Sequence, residues 1–169
     1  MGRAPRLIEK PMSKYTLSQA NPLAPEAHEI LVAHAEHCTL ASPPGSCHFL
    51  DKQSLCGDDV WFALLRQDEQ VVGCVAVQDH GEGFAELKSM HVLNSHRGQG
   101  LAKLLLEGAE RRARAQGAKR MGLETGSDKC AGDAFAAARE FYLGSGFELS
   151  QPFRDYTLDP YSVFMIKSL

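Results

Sequence analysis

The sequence lacks any apolar run near the ~20 residues that a membrane span requires. Its longest hydrophobic stretches, such as residues 71–77, stop far short of that. The opening MGRAPRLIEKPMSK also lacks the apolar centre of a secretory signal. Cysteine is sparse and odd in number: Cys38, Cys47, Cys56, Cys74 and Cys130, with no C-x-x-C pair. A secreted disulfide scaffold needs a denser, usually even set, so reduced thiols and a cytoplasmic location are expected. Charge of one sign is missing as well. With 18 Lys+Arg against 21 Asp+Glu, the net charge of −3 argues against a dedicated nucleic-acid binder. Neither nucleic acid nor membrane is expected as a partner.

Several catalytic signatures are absent too. No G-x-x-x-x-G-K-[ST] phosphate loop occurs. The nearest approach to a dinucleotide fingerprint, Gly98-Gln99-Gly100-Leu101-Ala102-Lys103, has lysine at its third position. There is no G-x-S-x-G, and Ser42 is followed by Pro43, so hydrolase chemistry has no support. His34 and His37 stand three apart beside Cys38, but no second pair with ligand spacing follows, so no metal is expected.

What is present describes a globular domain. A chain of 169 residues, 44% of them hydrophobic, buries roughly 70% of its unfolded surface and needs no staples. Residues 1–11 read as a flexible leader, with Met12 an alternative start, and residues 12–169 as a single domain. A strand over 14–19 precedes a helix over 26–39 that carries Ala27, Leu31, Ala35 and Cys38 at helical spacing. The turn-rich stretch 41–57 predicts a loop with one short helical turn. Strands over 60–66, 70–78 and 84–93, joined by short polar links, predict an antiparallel meander. The period then changes. Leu101, Leu104, Leu105, Gly108, Ala109 and Ala113 mark one face of a helix over 100–116. A strand over 120–124, a helix over 133–143 and strands over 147–150 and 162–166 complete the chain. Strand–helix–strand order around 84–124 implies a right-handed crossover between parallel strands. The fold class is therefore α/β with a mixed sheet, antiparallel first and parallel in the middle.

The chemistry concentrates where the second of those helices begins. After the strand ending in Met90, His91 and Val92, a polar turn leads through Arg97, Gly98, Gln99 and Gly100 into Leu101, Ala102 and Lys103. Backbone N–H groups at such a helix start favour an anion, and glycines let the backbone approach it without a Cβ in the way. Residues 97–120 carry seven Lys/Arg and two Glu, a balance of +5 against −8 for the remainder.

The spacing R-x-x-G-x-A at Arg97, Gly100 and Ala102 resembles the acyl-CoA pyrophosphate loop of the GNAT superfamily of N-acetyltransferases. Glu140-Phe141-Tyr142-Leu143-Gly144-Ser145-Gly146-Phe147 is similar to that superfamily's FY…GF segment. The phrases ELKSMHV, LETGS, PFRDY and SVFM resemble one bacterial branch loosely labelled indole-3-acetic acid acetyltransferase-like. The resemblance implies a GNAT-like fold with acetyl-CoA as co-substrate and direct transfer to a small-molecule or peptide amine. It also makes a homodimer an expectation. It implies that Met90, His91 and Val92 face the pantetheine arm, and that Arg97, Gly98, Gln99, Gly100, Leu101, Ala102 and Lys103 hold the pyrophosphate. Tyr142 matches the tyrosine that faces the cofactor sulfur and protonates the departing thiolate.

A substrate ammonium near pKa ~10 also needs a base. Glu86 is the first choice, because strict alternation puts it on one strand face with Lys88, Met90 and Val92. Glu124 and His91 are rivals, and the proton could pass through a water. Lys88 makes an acidic substrate group conceivable. Glu124, Asp155 and Tyr156 are the expected polar contacts to substrate, in a pocket built from 23–58, 124–126 and 152–161. The alternative function is an acyl-CoA-binding sensor without turnover.

Overall fold

The computed structural model describes residues 14–169; the expected leader at 1–11 and the start of the domain lie outside the described residues. Ten elements follow one another: β1 (Tyr15–Gln19), α1 (Pro25–Ala41), β2 (Val60–Gln67), β3 (Gln70–Asp79), β4 (Phe84–Val92), α2 (Leu101–Ala115), β5 (Arg120–Gly126), α3 (Ala136–Gly144), β6 (Glu148–Ser150) and β7 (Ser162–Ser168). The strands form one seven-stranded sheet in the order β1-β2-β3-β4-β5-β7-β6. All neighbours are antiparallel except β4 and β5, which run parallel across the α2 crossover as expected. The last strand inserts between β5 and β6, a placement that the order of elements along the chain does not reveal.

Each sheet face carries its own core. On one face Ala27, Ile30 and Leu31 of α1 pack on Phe62 and Leu64 of β2 and on Cys74 and Ala76 of β3. On the other, Leu101, Leu105, Leu106, Ala109 and Ala113 of α2 meet Val75, Val77, Leu87 and Met121. Gly108 allows the close approach of β1 to this helix, since a Cβ there would lie 2.1 Å from Leu17 Cδ2. The α3 helix begins at Ala136, later than expected. Gly132 and Asp133 hold left-handed φ values of 62° and 47°, which break the helical ladder. Arg139 then braces that turn, donating to Asp133 at 2.6 Å and to the Gly126 carbonyl at 2.9 Å. Among the described residues no helix is long and apolar enough to cross a membrane.

Leu105 is fully buried and Leu143 is 48% exposed. Leu105→Ala is expected to cost about 2–5 kcal/mol of stability, whereas Leu143→Ala should change it by about 0.5 kcal/mol or less. Urea unfolding midpoints of the two variants measure the difference.

Candidate active site

The site originates in an irregularity of β4. Its register with β3 runs Cys74↔His91 and then Ala76↔Lys88, so Ser89 and Met90 together stand against Val75. This is a β-bulge, with Ser89 at a left-handed φ of 50°. One extra residue reverses the alternation. Met90 and Val92 pack on the α2 face with Ala85 and Leu87, whereas His91 meets His34 and His37 of α1. The expectation that Glu86, Lys88, Met90 and Val92 share a face is thereby corrected: a period of two holds only as far as the bulge.

The parallel ladder between β4 and β5 covers only Phe84↔Arg120, Ala85↔Met121 and Glu86↔Gly122. Beyond it β4 continues against β3, and β5 continues against β7 to Gly126. The two strands therefore part, and a cleft of about 470 Å³ opens between them. Met90, His91 and Val92 line its β4 wall, and Glu124 and Thr125 its β5 wall.

At one end lies the glycine loop. Gly98 and Gly100 take φ values of 75° and 77°, with open space where a Cβ would stand. Gly100 caps α2 in the left-handed conformation, and no side chain caps the first turn. Its N–H groups, at the positive end of the helix dipole, are left for an anion. Arg97, Leu101, Ala102 and Lys103 also line the cleft. Arg97 is anchored through Nε to the Val92 carbonyl at 3.2 Å. Gln99 does not line the cleft; its Oε1 accepts from the Tyr15 hydroxyl at 2.9 Å, tying β1 to the loop.

At the other end sits a buried polar network. Glu86, only 3% exposed, accepts on Oε1 from the Tyr156 hydroxyl at 2.6 Å and from Lys88 Nζ at 3.1 Å. His80 Nε2 lies 2.7 Å from its Oε2. Lys88 also donates to the Tyr156 hydroxyl at 2.9 Å. Burial, reinforced by the Glu86 carboxylate, raises the Tyr156 pKa and keeps this phenol a donor. Asp155, by contrast, is exposed and does not line the cleft.

Glu124, Tyr142 and Cys38 also line the cleft. Burial raises the Glu124 pKa; Ser162, His48 and Lys88 oppose the rise, and nearby Glu86 adds to it. Tyr142 is 8% exposed and packs edge-on against Phe141 and Phe147. Its pKa is raised by burial and then by the neighbouring Cys38 and Glu124. Burial pushes the Cys38 thiol up to about 12, so it is no thiolate at neutral pH.

The α1 histidines were set aside in the sequence, yet both line this cleft. Their rings cluster with His91 at centroid separations of 5.4 and 5.9 Å. Spacing i, i+3 on one helix face was the available signal; the third member comes from a distant strand. Burial, then the charge of His37, lowers the His34 pKa to about 4. Burial, then His34, lowers that of His91 to about 3. These rings are neutral at pH 7. Among the described residues no three His, Cys, Asp or Glu side chains are grouped to hold a metal ion.

Comparison with known proteins supplies the context for this geometry. The Acetyltransferase (GNAT) family model matches residues 26–147. The chain is 38% identical over 136 residues to the uncharacterized N-acetyltransferase YsnE of Bacillus subtilis, covering 80% of this chain and 87% of the relative. It is 34% identical over 160 residues to the IAA acetyltransferase of Azospirillum brasilense, covering 94% and 100%. A Klebsiella pneumoniae structure classed with the acyl-CoA N-acyltransferases superposes with a TM-score of 0.74 at 29% identity, covering 92% and 97% of the two chains. Solved structures of matching fold include ones with acetyl-CoA or coenzyme A bound.

The buried histidines predict a pH dependence of stability. Between about pH 6.5 and 4 the unfolded chain binds protons at His34 and His91 that the folded chain does not. Their contribution is complete above that window and is lost as pH falls through it. Urea midpoints should therefore drop from about pH 7 to pH 4.5, and less steeply in a His34→Asn, His91→Asn double variant. Equal slopes for the two proteins would contradict the assignment.

Proposed function

Because the chain belongs to the GNAT acetyltransferase family and is an acetyl-CoA-dependent N-acetyltransferase, we propose the following roles for the residues of its cleft. The N–H groups of the Gly98–Gly100 turn and the first turn of α2, with Arg97 and Lys103, receive the pyrophosphate. The β4 edge at Met90, His91 and Val92, which has no β5 partner, accepts the amide-rich pantetheine arm like an added strand. The absent β4–β5 ladder beyond Glu86 is the observation that carries this reading.

The acceptor amine then attacks the thioester carbon. Its proton passes to Glu124, directly or through a water. Glu124 rather than Glu86 is favoured as base, because both Glu86 oxygens already face donors, whereas burial gives Glu124 an enhanced affinity for a proton. Glu86 instead holds Tyr156 and Lys88 in place at the acceptor end. Lys88 is held there by Glu86 and Tyr156, and the carboxyl of Glu124 lines the cleft, which favours a cationic amine over a carboxylated one. Tyr142 donates its proton to the departing sulfur. The phenol's raised pKa makes it a reluctant acid, but burial raises the proton affinity of the thiolate in the same way. The high pKa of Cys38 supports direct transfer without an acyl-enzyme.

The reading extends to the surroundings. Five unpaired cysteines support a cytoplasmic location. A homodimer would find an apolar surface at Leu149, 69% exposed on the short edge strand β6.

Thiol release from acetyl-CoA across a panel of amines tests these roles. Tyr142→Phe should lower kcat by about 10²-fold or more, with KM for acetyl-CoA held within about threefold. Glu124→Gln should lower kcat/KM comparably and remove the acidic limb of its pH profile. A Glu86→Gln variant with the larger loss would return the base to Glu86. No release with any amine, together with no binding of acetyl-CoA, would overturn the reading as a whole.

A further inference from the structure

The Gly98–Gly100 turn has little of its own to hold its shape. Both glycines take left-handed φ, and nothing lies within 4 Å of a Cβ placed on either. Residues 97–100 are exposed, and no side chain caps the helix that they open. Arg97, just before the turn, is fastened to β4 through the Val92 carbonyl. Within the turn the fastening is Gln99, whose Oε1 accepts a 2.9 Å hydrogen bond from the Tyr15 hydroxyl, 84 residues away in sequence. Among the described residues no other side-chain hydrogen bond reaches residues 98–100. The far end of this bond is firmly mounted. Tyr15 pairs with Gln67 at the start of the β1–β2 ladder, and its ring packs on the core under α2. Two residues on, Leu17 closes over Gly108 of that helix. A strand held by both sheet and helix thus carries a hydroxyl to the glycine turn.

We propose that Tyr15 is a positioning residue for the cofactor: through Gln99, its hydroxyl holds the glycine turn in the conformation that presents backbone N–H groups to the pyrophosphate. The inference rests on the acetyltransferase reading above. Glycine visits positive and negative φ about equally, so an untethered turn with two glycines divides its time among several shapes. A ligand that fits one of those shapes binds more weakly in proportion to the fraction of molecules in the others. The tether removes that loss before the cofactor arrives. Neither Tyr15 nor Gln99 lines the cleft, so both act from behind the turn and leave its N–H groups open to the anion. Gln99 therefore serves the cofactor through Tyr15, not through the direct contact that its place between the two glycines suggests.

Tyr15→Phe removes the hydroxyl and leaves the ring in the core. Its Kd for acetyl-CoA, measured by titration calorimetry, should rise about three- to tenfold. Its kcat and its KM for the amine should stay within about twofold of the parent. Gln99→Met removes the acceptor of the same bond. The double variant should therefore bind acetyl-CoA no more weakly than either single one. Backbone ¹⁵N order parameters read the turn itself. At Gly98, Gln99 and Gly100 of the cofactor-free protein they should fall in Tyr15→Phe from about 0.85 toward about 0.6, and recover when acetyl-CoA is bound. A Kd for Tyr15→Phe within about twofold of the parent would overturn the inference. So would additive losses in the double variant, or a fall in kcat that matches the loss of affinity, which would make Tyr15 a support of the fold at large. A parent protein that does not bind acetyl-CoA would instead sink the acetyltransferase reading, and its own titration reveals that before any variant is made.

Discussion

One extra residue in β4 is the constraint on which the rest of the site depends. With Ser89 and Met90 together opposite Val75, the strand turns its side chains over and changes direction within a single step. Below the bulge, Ala85 and Leu87 are core and Glu86 and Lys88 face the α1 side; above it, Met90 and Val92 are core and His91 faces α1. Both apolar segments thus stay on the α2 face despite the shift. The parting of β4 from β5 is tolerated because each strand keeps a full ladder on its other side, β4 with β3 and β5 with β7. The insertion of β7 next to β5 therefore bears directly on function: it leaves the inner edge of β5 free to border a cleft.

The electrostatics follow the same axis. The net charge of −3 conceals a segment at 97–120 with a balance of +5, and that segment begins at the glycine loop. At the far end Glu86, Lys88, His80 and Tyr156 form a mutually satisfied buried cluster. Removing one partner of such a cluster is costly, which makes it a rigid wall rather than a proton carrier. His34 and His91 lose their charge through burial, which leaves Arg97 and Lys103 as the cations beside the glycine loop. What remains titratable in the centre is a carboxylate of raised pKa, Glu124, and a phenol of raised pKa, Tyr142. Burial raises the proton affinity of both.

Much of this was legible in the sequence where the signal is local. Arg97, Gly100 and Ala102 lie at a strand-to-helix junction whose period change is visible without coordinates, and Leu101, Leu105, Ala109 and Ala113 declare the buried face of α2. The antiparallel meander and the parallel crossover follow from short polar joints and one intervening helix. What stayed hidden depends on long-range pairing. A bulge consumes one residue without any turn former to mark it, so strict alternation placed Met90 and Val92 on the wrong face. Ser89, which carries the strain, reads as an ordinary strand residue. The Tyr156–Glu86 contact joins residues 70 apart, with the Tyr156 ring packed on Phe153 and on Phe164 of β7. Asp155 and Gln99 are adjacent in sequence to cleft-lining residues but do not line the cleft themselves; one faces solvent and the other turns back to β1.

The central claim is that acetyl-CoA occupies the parting of β4 and β5. Amide hydrogen exchange of the intact chain, with and without acetyl-CoA, tests it most directly. The account predicts slowed exchange at residues 89–92 and 98–103, the open strand edge and the uncapped helix start, with little change along β1 and β2. Exchange unaltered at both segments under saturating acetyl-CoA, or slowed only on another surface, would contradict it.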